Sequence, residues 1–216
     1  MNKIIQTIKL IEKHVRKLTV PIVTIVSDKW HDPYLVLISC ILSLRTQDKT
    51  TAAASNRLFE IADSPRKMIK LPKSRLQKII YPVGFYRTKT GVILELSKRL
   101  IKEYNGKVPA SETELLKFKG VGRKTANLVL GLGFGIPAIC VDTHVHRIPN
   151  RLGWVRTRTP EETEYALRKI LPKGQWIKIN TTLVTFGQNT CLPVSPLCSQ
   201  CPVSRLCRKT GVQTHR

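Results

Sequence analysis

Four of the six cysteines, Cys191, Cys198, Cys201 and Cys207, sit in one seventeen-residue stretch near the C-terminus, CLPVSPLCSQCPVSRLC, spaced C-x6-C-x2-C-x5-C. Thiols this close in sequence, with prolines turning the chain between them, can converge on a single centre that the rest of the fold must accommodate. Disulfides are one reading. A basic chain without a recognisable leader points instead to a reducing compartment, where disulfides rarely persist. Zinc and an iron–sulfur cluster both accept four thiolates. The usual zinc pattern pairs two C-x2-C units across a longer loop, and only one C-x2-C is present here. The uneven run therefore favours a [4Fe–4S] cluster, while the ligands alone leave zinc open. Cys40 and Cys140 stand alone in apolar surroundings and read as core residues.

Charge narrows the partner. The 216 residues carry 37 Lys and Arg against 14 Asp and Glu, a net charge of +23, which suits a polyanion. DNA, RNA and an anionic membrane surface all fit that charge. Nucleic acid fits best, because the excess is spread along the whole chain. No run of eighteen uncharged apolar residues is present to span a bilayer, so a soluble chain with no membrane partner is expected. The N-terminal MNKIIQTIKLIEKHVRKL lacks the uninterrupted apolar stretch and cleavage site of a secretory signal, and Glu12 is unlike an organelle transit peptide. The expected location is cytoplasmic and nucleoid-associated, in a prokaryote.

Periodicity predicts an all-α chain. Ile4, Ile8, Ile11, Val15 and Leu18 share one helical face. Residues 34–45, YLVLISCILSLR, are too long and too apolar for a typical strand and read as a buried helix after the Asp32-Pro33 turn signal. Residues 92–104 carry Ile93, Leu96, Leu100 and Tyr104 on one stripe, and 175–189 keep helical spacing through Trp176, Ile179, Leu183 and Phe186 despite many β-branched residues. Ser111 with Glu114, and Thr159 with Glu162, match the capping box, with Pro160 suited to a first helical position. No alternating βα pattern appears.

One helix breaks itself. In FKGVGRKTANLVLGLG, residues 118–133, a helix expected to start after Ser111 and end at Lys119 gives way to Gly120-Val121-Gly122, and an apolar helix resumes at Thr125. Such glycines open backbone torsions closed to other residues and let the chain approach a ligand closely. The amides that start the second helix, beside Arg123 and Lys124, form an anion site suited to a DNA phosphate. A glycine-capped turn between core helices is the plainer reading. Further on, Asp142 in CVDTHVHRIPNRLGW reads as a helix N-cap, and His144 as a contact to a DNA backbone. His144 and His146 lie two apart and do not share a helix face, which disfavours a metal site there.

Gly120-Val121-Gly122-Arg123-Lys124-Thr125-Ala126-Asn127, Val141-Asp142-Thr143-His144 and the cysteine run together resemble the endonuclease III family of helix-hairpin-helix DNA glycosylases, over nearly the whole chain. The resemblance implies two helical domains with a DNA cleft between them. The first is residues 25–136, with the helix-hairpin-helix at about 112–134. The second is residues 1–24 plus 137–216, with a cluster loop at 191–207. It implies a bifunctional enzyme of base excision repair that removes oxidised pyrimidines from double-stranded DNA and cleaves at abasic sites, carrying a [4Fe–4S] cluster. A monomer is expected, because a single damaged site needs no symmetric dimer.

In that scheme Lys124 attacks the sugar C1′, and a cationic neighbourhood including Arg123 and helix amides favours its neutral amine. Asp142 stabilises positive charge developing on the sugar. Read without the family, Lys124 is a phosphate contact. Extruding a nucleotide leaves a gap to be filled. ILSLRTQD places Arg45 where the family commonly has a plugging glutamine, with Gln47 two residues on, so either can enter the gap. Phe85 in VGFYRTK occupies the position of an apolar wedge, or is ordinary packing. Phe118-Lys119 stands where the family usually has Leu-Pro. A monofunctional glycosylase of the same fold and a non-catalytic DNA-binding module with a structural metal are the competing readings.

Overall fold

The computed structural model describes residues 2–216, and every regular element among them is helical. The chain divides into two compact units, Met1–Pro21 with Pro137–Arg216, and Ile22–Ile136. In chain order the helices are α1 (Asn2–Val15), α2 (Ile22–Trp30), α3 (Pro33–Ser43), α4 (Asp48–Ile61), α5 (Pro65–Met68), α6 (Lys73–Ile80), α7 (Tyr86–Tyr104), α8 (Glu112–Leu115), α9 (Arg123–Leu128), α10 (Thr143–Leu152), α11 (Pro160–Ile170) and α12 (Trp176–Asn189). None is long and apolar enough to cross a membrane among the described residues.

The Ile22–Ile136 unit is built around α3. Its sequence is apolar on every side, and Tyr34 through Leu42 are all buried, as expected of a helix enclosed by others. Asp32 starts it by accepting from the Tyr34 and Leu35 amides at 2.7 and 3.3 Å, with Pro33 at the first helical position. Helices α2, α4, α7 and α9 pack against it. Of the α7 stripe, Ile93, Leu96 and Leu100 are buried as expected, while Tyr104 at its end is only partly buried.

In the other unit, Ile8, Ile11 and Val15 of α1 join Val145, Ile148, Leu167, Leu183 and Phe186 in one apolar cluster, with Ile4 and Leu18 at its edge. The chain's first helix thus closes a core made mostly by its last three helices, with Ile139, Val141, Leu171 and Val203 from the segments beside them. The His14 ring reinforces the contact, sharing a 2.9 Å hydrogen bond with Thr190 and standing edge-on to Phe186. The stretch 175–189 is helical, as its Ile179-Leu183-Phe186 spacing predicts.

Local expectations fail in three places. The helix after Ser111 stops at Leu115 rather than Lys119, and the Ser111 side chain makes no cap bond. Its intended partner is engaged elsewhere: the Glu114 carboxylate accepts from the Tyr104 hydroxyl at 2.7 Å and from Lys117 at 2.6 Å. At the other candidate box the Thr159 hydroxyl does accept the Glu162 amide, at 3.2 Å, but the Glu162 carboxylate takes the Arg158 amide, one residue outside the cap. The apolar helix after the glycines also departs from a regular α-helix, running six residues before widening into a π-turn at Val129–Gly133.

Candidate active site

Gly120 and Gly122 serve different ends. Gly120 has φ +82°, and a Cβ there would lie 3.0 Å from Val92 Cγ1, so the turn requires glycine. Gly122 is extended, with φ −98° and ψ 177°, and caps α9 with open space where a side chain would stand. Its value is the bare backbone it presents at the start of α9. The first amides of α9 lack intrahelical acceptors, and Lys124 is exposed beside them. Arg123 is not a free cation here, because its guanidinium pairs with Glu112 at 3.0 Å. The cationic surroundings expected for Lys124 are weakened accordingly. The Lys124 charge is felt by Cys40 of α3, whose thiol burial pushes up to about 12 against the pull of that charge.

Arg45 and Phe85 come together in the same unit. Both are exposed, Phe85 to 62%, and the Arg45 guanidinium lies 5.7 Å from the centre of the Phe85 ring. Ordinary core packing for Phe85 is excluded by that exposure. Both residues have positive φ, 50° and 58°. Gln47, also exposed, stands at the start of α4 without a side-chain cap bond. Beneath the pair is a residue whose role the sequence did not disclose, Lys89, which is only 6% exposed.

In the other unit, Asp142 caps α10 by accepting from the His144 and Val145 amides, both at 2.9 Å. His144 is turned toward the protein: Arg147 Nη2 lies 3.1 Å from its Nδ1, and a Cβ on Gly187 would come within 2.3 Å of that nitrogen. Arg147 also donates to the Cys191 carbonyl at 2.8 Å. His146 bonds Thr163 at 2.6 Å instead of joining His144.

The four C-terminal cysteines line one pocket with Arg151, Phe186 and neighbouring apolar side chains. All are free thiols. Burial pushes the Cys201 thiol up to about 11, and the nearby thiols of Cys191, Cys207 and Cys198 add to the rise. The sulfurs are supplied with donors: Arg151 Nη1 reaches Cys191 Sγ at 3.5 Å and the Lys209 amide reaches Cys207 Sγ at 3.3 Å. Arg151 further donates to the Leu192 and Pro193 carbonyls at 2.6 and 2.7 Å, fixing the loop between the first two cysteines. Among the described residues no group of three or more His, Cys, Asp or Glu side chains is drawn together to hold a metal ion. Cys40 and Cys140 are buried in the core.

Residues 38–173 match the HhH-GPD superfamily of base excision DNA repair proteins. The chain is 52% identical to endonuclease III of Thermotoga maritima over 82% of its own length and 83% of that protein, and 38% identical to endonuclease III of Bacillus subtilis over 82% of each. It spans about half, 49%, of the longer chloroplastic endonuclease III homolog 2 of Arabidopsis thaliana, at 43% identity. A solved trapped endonuclease III–DNA covalent intermediate superposes with TM-score 0.77 at 41% identity, covering 82% of this chain and 84% of that one. A thermostable thymine-DNA glycosylase superposes with TM-score 0.75 at 26% identity, over 93% and 96%. At 52% identity to an endonuclease III over most of both chains, this chain belongs to the endonuclease III family of the HhH-GPD superfamily.

Proposed function

We propose that Lys124 is the nucleophile and Asp142 the electrostatic partner of a DNA glycosylase and abasic-site lyase acting in base excision repair on oxidised pyrimidines. The neutral Lys124 amine attacks the sugar C1′ as the bond from C1′ to the base breaks, and the base leaves with the electron pair and takes up a proton. Loss of a proton from nitrogen and opening of the sugar give a Schiff base. That iminium acidifies the C2′ proton, whose removal expels the 3′-phosphate oxygen and cleaves the strand. The Asp142 carboxylate, positioned by the His144 and Val145 amides at the start of α10, offsets positive charge on the sugar. Arg123, paired to Glu112, leaves Lys124 as the exposed amine at the start of α9.

The observation that carries the assignment is the placing of Lys124, exposed at the start of α9 directly after a glycine turn, while its basic neighbour is tied down. The covalent endonuclease III–DNA intermediate known for a relative supports an enzyme of this family that bonds to its substrate. Lys124→Gln is expected to abolish cleavage at an abasic site while duplex affinity stays within a few-fold. Asp142→Asn, which keeps the cap, is expected to lower base excision by about 10²-fold or more. Undiminished cleavage by the Lys124→Gln variant overturns the assignment.

A [4Fe–4S] cluster held by Cys191, Cys198, Cys201 and Cys207 belongs to the same reading. A single zinc ion, with sulfurs at about 2.3 Å, needs the four thiols converged on one point. A cluster gives each thiolate its own iron and asks only that they surround one volume, as these line one pocket. When bound, it cross-links the C-terminal loop and takes no part in the proton and bond changes above. The proposed location is with chromosomal DNA in a prokaryotic cytoplasm, and the active form is a monomer on duplex DNA.

A further inference from the structure

Arg45 and Phe85 hold their exposed positions on backbone in the left-handed region, φ 50° and 58°, which bulky residues adopt only where their surroundings over-determine it. What surrounds them is specific. Lys89, on the first turn of α7, sends its amine to the Leu42 carbonyl at 2.8 Å, the Leu44 carbonyl at 2.5 Å and the Thr46 hydroxyl at 3.1 Å. These acceptors bracket Arg45, at the end of α3 where carbonyls are left without helical partners. The Lys89 amide meanwhile donates to the Phe85 carbonyl at 3.0 Å. One residue thus grips both tips. The Thr46 hydroxyl extends the grip by accepting the Gly84 amide at 3.1 Å, and Gly84 sits so close to Arg45 that a Cβ would lie 2.6 Å from its carbonyl oxygen. Arg57 fixes the far end of the Phe85 loop through the Ile79 and Tyr81 carbonyls at 3.0 and 2.7 Å.

An ammonium in this place is costly. Lys89 is 6% exposed, and among the described residues its amine donates to two carbonyls and a hydroxyl and to no carboxylate. Burial pushes the amine down to about 8. A methionine of similar volume would fill the same space without a buried charge, but it could not bond α3 to α7.

We propose that Lys89 is a positioning residue for nucleotide extrusion: by tying the end of α3 to the start of α7, it holds Arg45 and Phe85 side by side as one rigid two-pronged tip that enters the duplex where the target nucleotide leaves. This rests on the reading of the chain as a glycosylase and lyase of duplex DNA. It separates substrates by whether they need extrusion. Excision of a damaged base from a duplex needs it, and cleavage of an abasic site in a single strand does not.

The test compares wild type, Lys89→Met and Thr46→Val under single-turnover conditions on a thymine glycol duplex and on a single-stranded abasic oligonucleotide, with 2-aminopurine beside the lesion reporting unstacking in the duplex. Both variants are expected to lose tenfold or more in duplex excision and most of the fluorescence rise, while single-strand cleavage stays within twofold. Thr46→Val removes the shared hydroxyl and leaves the buried amine its two carbonyl acceptors, so it decides the matter if Lys89→Met fails to fold. A parallel loss on both substrates, or no loss on either, overturns the proposal and leaves Lys89 a cap for α3. A wild type inactive on both substrates overturns the glycosylase and lyase reading itself, and the positioning role with it.

Discussion

Arg123 and Lys124 are adjacent in sequence and alike in charge, yet the fold separates them: one is paired with Glu112, the other left exposed after a glycine turn. That pairing was not readable beforehand, since Glu112 and Arg123 meet only because the chain doubles back at Gly120. Lys89 was hidden for a different reason. A lysine is exposed by default, and the acceptors that bury this one come from the end of α3, more than forty residues earlier. Cys40 and Cys140 were readable as core from their apolar neighbours alone, and both are 2% exposed. Cys40 carries a consequence for pH. Its thiol, raised to about 12 by burial, keeps its proton in the folded state at pH values where the unfolded chain has lost it. Stability contributed by that proton is complete below the ordinary thiol range and is lost as pH rises toward 12, at up to about 1.4 kcal/mol per pH unit. Urea midpoints measured from pH 8 to 11 are therefore expected to fall less steeply for Cys40→Ala than for the wild type, and equal slopes would count against the buried, protonated thiol.

Among elements, the apolar stripes of α1, α7 and α12 and the wholly apolar α3 were the most legible, because such a pattern is a property of the helix itself. Caps were less so. The Ser111 and Thr159 boxes look alike in sequence, but Glu114 finds Tyr104 on α7 and leaves its cap, a competition that local spacing does not encode. The hairpin between α8 and α9 offers a sharper test of what its glycines are for. Gly120→Ala is expected to cost about 1–3 kcal/mol, because alanine must take a left-handed φ and press on Val92. Gly122→Ala is expected to cost only about 0.5–1 kcal/mol, the usual loss at an N-cap, yet to weaken duplex binding severalfold by standing a methyl group where the backbone meets phosphate. Denaturant melts and binding titrations on the two variants separate the roles. Equal stability losses, or unchanged binding for Gly122→Ala, would refute this division.

In the molecule as a whole, Lys124 lies in the unit Ile22–Ile136, and Asp142 lies in the unit that also holds the four thiols. The cysteine spacing made that second unit's loop visible in the sequence. What it could not show was the support around the sulfurs, where Arg151 and Arg147 of α10 reach across about forty residues to the loop. Protein purified without oxygen is expected to be brown, with about four irons per chain and little zinc; colourless, zinc-loaded protein would overturn the cluster assignment. In the proposed reaction this chain breaks DNA through a covalent bond from Lys124. Borohydride reduction of the complex with a duplex carrying one abasic site, followed by proteolysis and mass spectrometry, tests it most directly. A single adduct is expected on the peptide containing Lys124, absent from Lys124→Ala, whereas an adduct on another lysine, or none from well-folded protein, rules out the bond from Lys124.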